Sequence, residues 1–155
     1  MTASPTLVLC LGNDIRRDDG VGWAVADALP PSAGTMIRRS ALSGFYLLDE
    51  LVGFDRAIVV DAIKTGTHAP GTVLSFPFEA LGTDASPSPH AVGLPSVLRL
   101  GRESGVPLPA TLHIVAVEVD DMESISEGLT PAIRAAVPAA VQAVRSLLDR
   151  SPGTP

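Results

Sequence analysis

Four side chains stand where a folded chain could gather them into a reactive group. Asp18 and Asp19 are neighbours in the run Gly12-Asn13-Asp14-Ile15-Arg16-Arg17-Asp18-Asp19-Gly20-Val21-Gly22. Asp61 directly follows the apolar residues Ala57 to Val60, and His90 ends the stretch Ser86-Pro87-Ser88-Pro89-His90. Two carboxylates and an imidazole make a three-ligand metal site with open positions for water or a substrate group. Nitrogen and oxygen donors suit nickel, zinc, manganese or iron, and donor type alone does not select among them. Structural duties compete with this reading. An aspartate at a helix start satisfies free amides and the helix dipole. Two adjacent aspartates exceed what one cap needs, so one is read as a cap and the other as a site candidate. Asp61 stands evenly between a site residue and a turn former for Ala62 to Gly66. A lone loop histidine is more often a surface residue, and His90 gains weight from the company of the two acids.

Other chemistries find no support in the residues. Gly12, Gly20 and Gly22 lack the spacing of a dinucleotide fingerprint, and no Gly-Lys-Ser/Thr follows to make a P-loop. There is neither a G-x-S-x-G elbow nor an H-E-x-x-H zinc helix, so no serine or cysteine nucleophile is assigned. The one cysteine, Cys10, excludes an intramolecular disulfide and a cysteine-based zinc cluster. It falls inside an apolar run and reads as packing. His113 reads as a structural strand residue, and His68, in a turn-like stretch, as a solvated one.

The elements that must position these residues follow from patterning. Leu7 to Leu11 is a short apolar run, as in a strand buried on both faces. Trp23, Val25, Ala26 and Leu29 recur at helical spacing from Gly22, and Pro30–Pro31 stops that helix. Thr35 to Arg38 reads as an edge strand, and Phe45, Leu48, Leu51 and Val52 fit a second helix. Ala57 to Val60 is a strand closed by Asp61, and Thr72 to Phe76 is another. Pro77, Pro87, Pro89 and Pro95 then mark a long loop of the kind that carries function. A third helix starts at Pro95 and turns Val97, Leu98 and Leu100 inward. Thr111 to Glu118 is the last strand. Thr130 caps a final helix with Pro131 at its first position. Pro138 falls inside that helix and is expected to bend it. Strands alternating with helices predict a three-layer α/β/α fold with a twisted, mostly parallel sheet of about five strands. In such sheets ligands bind beyond the carboxyl ends of the strands, where the runs carrying Asp18–Asp19 and Asp61 emerge.

Composition bounds the function. The chain of 155 residues suits a single domain, residues 1–150, with a disordered tail at 151–155. Acidic residues outnumber basic ones 17 to 11 for a net charge of -6, and no basic run exists, which argues against a nucleic-acid partner. Leu7 to Leu11 is too short for a signal or membrane segment, so no membrane partner and a cytoplasmic address are expected. Monomer is the default oligomeric state.

Taken in order, these motifs resemble one family. Leu9-Cys10-Leu11-Gly12-Asn13 followed by Asp18-Asp19-Gly20-Val21-Gly22 is similar to the opening motif of the nickel–iron hydrogenase maturation endopeptidases. Val59-Val60-Asp61-Ala62 resembles their second motif, and Ser88-Pro89-His90 before an apolar helix their third. Glu127-Gly128-Leu129-Thr130-Pro131 and the helix with Ala136-Val137-Pro138 resemble the family's C-terminal stretch, so the likeness spans nearly the whole chain. The resemblance implies an endopeptidase that clips a C-terminal extension from a hydrogenase large-subunit precursor after nickel insertion. It implies nickel ligands at Asp19, Asp61 and His90, with the nickel borne by the substrate and no organic cofactor. It also implies catalytic duty for Asp19 and Asp61, and substrate contact at Asn13 and Gly44. Three positions depart from the family pattern. Cys10 replaces the first glycine of a G-x-G-N run. Asp19 stands where many members have glutamate, a reach shorter by one bond, roughly 1.5 Å. Ser40-Ala41-Leu42-Ser43-Gly44 replaces a D-G-G-T stretch tied to substrate choice, which points to a partner hydrogenase of another subgroup. Two alternatives accompany this reading: a non-catalytic nickel-dependent chaperone or checkpoint on the large subunit, and a hydrolase of another substrate using a metal-bound water.

Overall fold

A computed structural model describes residues 4–80 and 94–150 of the chain. Five strands form one sheet: β1 (Thr6–Leu11), β2 (Thr35–Ser40), β3 (Arg56–Ile63), β4 (Val73–Pro77) and β5 (Thr111–Glu118). Their spatial order is β2-β1-β3-β5-β4, parallel throughout except for β4, which runs antiparallel to β5 at the edge. Helices α1 (Val21–Ala28), α2 (Tyr46–Leu51), α3 (Leu94–Glu103) and α4 (Pro131–Leu148) lie on both faces. This is the expected three-layer α/β/α architecture.

Two apolar clusters hold the layers together, sorted by the two-residue alternation of the strands. Val8 and Cys10 of β1, Ile58, Val60 and Ala62 of β3, and Val115 and Val117 of β5 face α1 and α4. Leu7, Leu9, Leu11, Val59, Ile114 and Ala116 face α2 and α3 on the other side. Because both faces are covered, the central strands read as continuous apolar runs rather than alternating ones. Helix α4 buries Ile133, Ala136, Ala140, Val144 and Leu147 along one stripe. Each large aliphatic side chain there contributes about 1.5–3 kcal/mol. Pro138 lies within α4, and the helix continues past it to Leu148. No helix among the described residues is long and apolar enough to cross a membrane.

Four expectations need correction. Asp61 does not close β3: the strand runs two residues further, pairing Asp61 with Ala116 and Ile63 with Glu118. The polar residue marks a change of side-chain surroundings, while β5 still offers backbone partners. In α2 the inward face is Leu47 and Leu51, and Phe45 and Val52 are exposed. The apolar character of Phe45 there reflects the surface rather than the core. Leu100 of α3 is likewise exposed, while Val97 and Leu98 turn inward. Pro77 belongs to β4, where an edge strand tolerates its missing N–H. The remainder of the proline-marked loop, with Pro87, Pro89 and His90, lies outside the described residues, as does the expected tail 151–155.

Candidate active site

β1 and β3 pair as far as Cys10 with Val60, while one residue later Leu11 pairs only with Ser40 of β2. The two central strands therefore part beyond Val60, and Asp61 is the first β3 residue past the split. The helix after β1 covers one face of the sheet and the helix after β2 covers the other. This is the topological switch point, where open α/β sheets place their ligands. Alternation along β3 sets Asp61 on the α2/α3 face together with Val59 and Ile63. Its side chain is fully buried, and Oδ1 accepts the amide of Ala62 at 2.9 Å.

The second acid comes from a 3-10 turn, Arg17–Gly20, that packs against β3. Bare backbone makes that approach possible. A Cβ at Gly12 would lie 2.5 Å from the carbonyl oxygen of Asp19, and one at Gly22 would lie 2.1 Å from that of Leu11. The amide of Asn13 donates to the Asp19 carbonyl at 3.2 Å, closing the loop over the strand end. Asp19 is buried, 2% exposed, in the turn that follows β1 and packs against β3, the strand that carries Asp61. The first-motif glycines thus act by close packing rather than by binding a phosphate.

Asp18 has the structural task, though not for its own helix. Neither the 3-10 turn nor α1 has a side-chain cap. The Asp18 carboxylate instead crosses to the segment between β5 and α4. It accepts the amide of Thr130 at 2.8 Å, the Thr130 hydroxyl at 2.9 Å and the amide of Asp121 at 3.2 Å. Thr130 is the N-cap residue of α4, as expected, but its hydroxyl donates to Asp18 and makes no cap bond. A buried carboxylate satisfied by three donors, and set near a helix N-terminus, is a stable arrangement. Arg17, the one non-glycine with positive φ among the described residues at 49°, adds bonds to Ser126 Oγ and the Glu127 carbonyl. The whole segment from Asp121 to Thr130 is therefore fastened to the turn that carries Asp19.

The remaining candidates divide. Asn13 sits at the same edge, half-buried, and its side-chain oxygen accepts the amide of Ile15 at 3.1 Å. Gly44 follows β2 with φ of 59°, and nothing lies within 4 Å of where its Cβ would be. Cys10 is fully buried facing α1, and burial, followed by the charge of Asp27, pushes its thiol up to about 12. A thiol held neutral in this way is a packing group. His68 is exposed, and His113 lies within β5. Burial, then Arg150 and Arg56, lowers the pKa of His113. Among the described residues no three His, Cys, Asp or Glu side chains form a set that could hold a metal. Asp19 and Asp61 supply two oxygen-donor groups, and His90 lies outside the described residues.

One buried acid escaped the reading of the sequence. Glu118, 1% exposed, ends β5 and accepts the amide of Thr65 at 2.9 Å together with the Thr65 hydroxyl. It fastens the connection after β3. Its place at the close of an apolar strand is the same signal that singled out Asp61.

Known proteins share both sequence and fold with this chain. A family model described as hydrogenase maturation protease matches residues 41–147. The hydrogenase 2 maturation protease of Escherichia coli K12 is 32% identical over 152 residues, covering 94% of this chain and 91% of the relative. The solved structure of the hydrogenase maturating endopeptidase HybD from Escherichia coli superposes with a TM-score of 0.80 at 30% identity, covering 93% of this chain and 91% of that one. The NiFe hydrogenase maturation protease HybD from Thermococcus kodakarensis gives 0.74 at 26% identity, covering 92% and 98%. By sequence and by fold, the chain belongs to the hydrogenase maturation protease family and is a peptidase.

Proposed function

We propose that this peptidase removes the C-terminal extension of a nickel–iron hydrogenase large-subunit precursor once nickel is in place, and that it reads the nickel through Asp19, Asp61 and His90. The observation that carries the proposal is the burial of two aspartates: Asp61 on β3, just past the point where β1 and β3 part, and Asp19 in the turn that packs against β3. Carboxylate oxygens and an imidazole nitrogen are donors that nickel accepts. His90 precedes the first residue of α3, Leu94, by four residues, a span of chain that reaches at most about 14 Å. Helix α3 covers the face of the sheet to which Asp61 belongs. The nickel in this scheme is part of the substrate. Its capture by three ligands would anchor the precursor and hold its C-terminal segment against the enzyme, an orientation effect of the kind that lowers hydrolytic barriers. The name of the Thermococcus relative, which specifies a NiFe hydrogenase, supports the choice of metal.

The test is cleavage of a nickel-loaded and a nickel-free precursor, followed by intact mass spectrometry. Loss of a C-terminal peptide from the loaded form alone is expected. Asp61→Ala and His90→Ala should each abolish that loss while circular dichroism remains that of the folded chain. Normal processing by both variants, or equal processing of the two precursors, would refute the proposal.

A further inference from the structure

The largest exposed apolar side chains are not spread evenly. Five of them, Ile15, Leu42, Phe45, Tyr46 and Ile125, sit in or beside the connections that leave the carboxyl ends of β1, β2 and β5. Ile125 is 77% exposed, Tyr46 67% and Phe45 62%. Two of the five are neighbours across loops: the amide of Ser126 donates to the Ile15 carbonyl at 3.0 Å, and Arg16 forms a bridge with Ser126. The site acids, Asp19 and Asp61, lie along the same edge of the sheet. Isolated exposed apolar residues need no explanation, but a group of them around a peptidase site marks a docking surface.

Charge says what docks there. The connections after β1, β2, β3 and β5, with the residues at the strand ends, hold nine acidic residues against five basic ones: Arg16, Arg17 and Lys64 in the connections, and Arg38 and Arg39 at the end of β2. Nine acids against five bases leave four of the chain's six net negative charges at this edge. The other eight acidic and six basic residues leave two. Lys64, moreover, is engaged by Glu123 at 3.0 Å. The edge that carries the site is therefore apolar and holds most of the molecule's net negative charge.

We infer that this edge docks the protein substrate through a segment of the precursor that is both basic and apolar. Apolar contacts with Ile125, Ile15 and Phe45 hold the segment, and the field of Asp14, Glu127 and their acidic neighbours steers it and excludes acidic competitors. This inference rests on the endopeptidase reading and adds the chemistry of the surface that selects the substrate.

Binding of the large-subunit precursor, made by the same organism, to the immobilised full-length protein tests it by interferometry, with cleavage followed separately by mass. Two double variants use exposed side chains outside the proposed nickel site, Asp14→Lys with Glu127→Lys and Phe45→Ser with Ile125→Ser. Each is expected to weaken binding at least tenfold, raising KM while leaving kcat near that of the parent chain. The loss from charge reversal should shrink as salt rises, and the loss from the serine pair should not. Binding of both variants within twofold of the parent overturns the inference even if cleavage is normal, as does the absence of any precursor binding by the parent. Binding that obeys these expectations without cleavage supports the docking surface and refutes the endopeptidase reading alone.

Discussion

Replacing Asp18 with alanine removes the acceptor of three hydrogen bonds from a position that is fully buried. The Thr130 hydroxyl can turn to another acceptor, but the amides of Thr130 and Asp121 cannot. A buried donor left unmade costs about 1–3 kcal/mol. Two such donors set the loss at about 2–6 kcal/mol, and water entering the vacated space draws it toward the lower half, about 3 kcal/mol. The lost interaction of a negative charge with the α4 N-terminus adds about 0.3–1 kcal/mol. In a chain of 155 residues a loss of 3 kcal/mol lowers the melting temperature by roughly 6–12 °C. The variant Asp18→Asn retains one carbonyl oxygen for the Thr130 amide but turns an N–H2 toward the remaining donors, so about half the loss is expected. Urea unfolding followed by circular dichroism measures both variants. Amide exchange at Thr130 and Asp121 should quicken in the alanine variant before the core opens. Unfolding free energies within about 0.5 kcal/mol of the parent chain, on the scale where surface substitutions fall, would show that Asp18 does not fasten the segment from Asp121 to Thr130.

Two further perturbations probe the packing behind the site. Gly22→Ala drives a Cβ to 2.1 Å from the Leu11 carbonyl and 3.2 Å from that of Val60, both rigid backbone. Overpacking of this kind costs about 1–3 kcal/mol or more, so a clear drop in thermal midpoint is expected, and an unchanged midpoint would mean that α1 does not press on the strand ends. Cys10, with its thiol raised from 9.0 to about 12, favours the folded state in its neutral form. That stability is complete below pH 9 and is lost as pH rises from 9 toward 12, by at most about 1.4 kcal/mol per pH unit. Native protein at pH 8 should resist a thiol reagent until urea unfolds it, and the alkaline loss should be smaller in Cys10→Ala. Rapid stoichiometric labelling of the native chain would contradict the buried thiol.

Local signals carried most of the fold. The apolar run Leu7–Leu11, the alternating segment Thr111–Glu118, the Pro30–Pro31 stop, and Thr130–Pro131 all mark elements that the structure contains, because strand burial and helix-end chemistry write themselves into neighbouring residues. The ordered motifs also placed the chain in its family, and they marked Asp19 and Asp61 as the acids of interest. Sequence spacing could not divide duties between Asp18 and Asp19. That division depends on which carboxylate meets Thr130, 112 residues away. Nor could it show that Gly12 and Gly22 serve contact between backbones, since the partner atoms belong to other elements. The exposed Phe45 looked like a core residue for the same reason: periodicity counts apolar positions, and only packing decides which of them meet the sheet. By itself, then, the sequence determined the layered α/β class and the residue types available for chemistry. The tertiary structure decided where β1 and β3 part, which acids lie buried there, and that the acidic and apolar surfaces share one edge. These are facts about chain crossings over long separations, which no local pattern encodes.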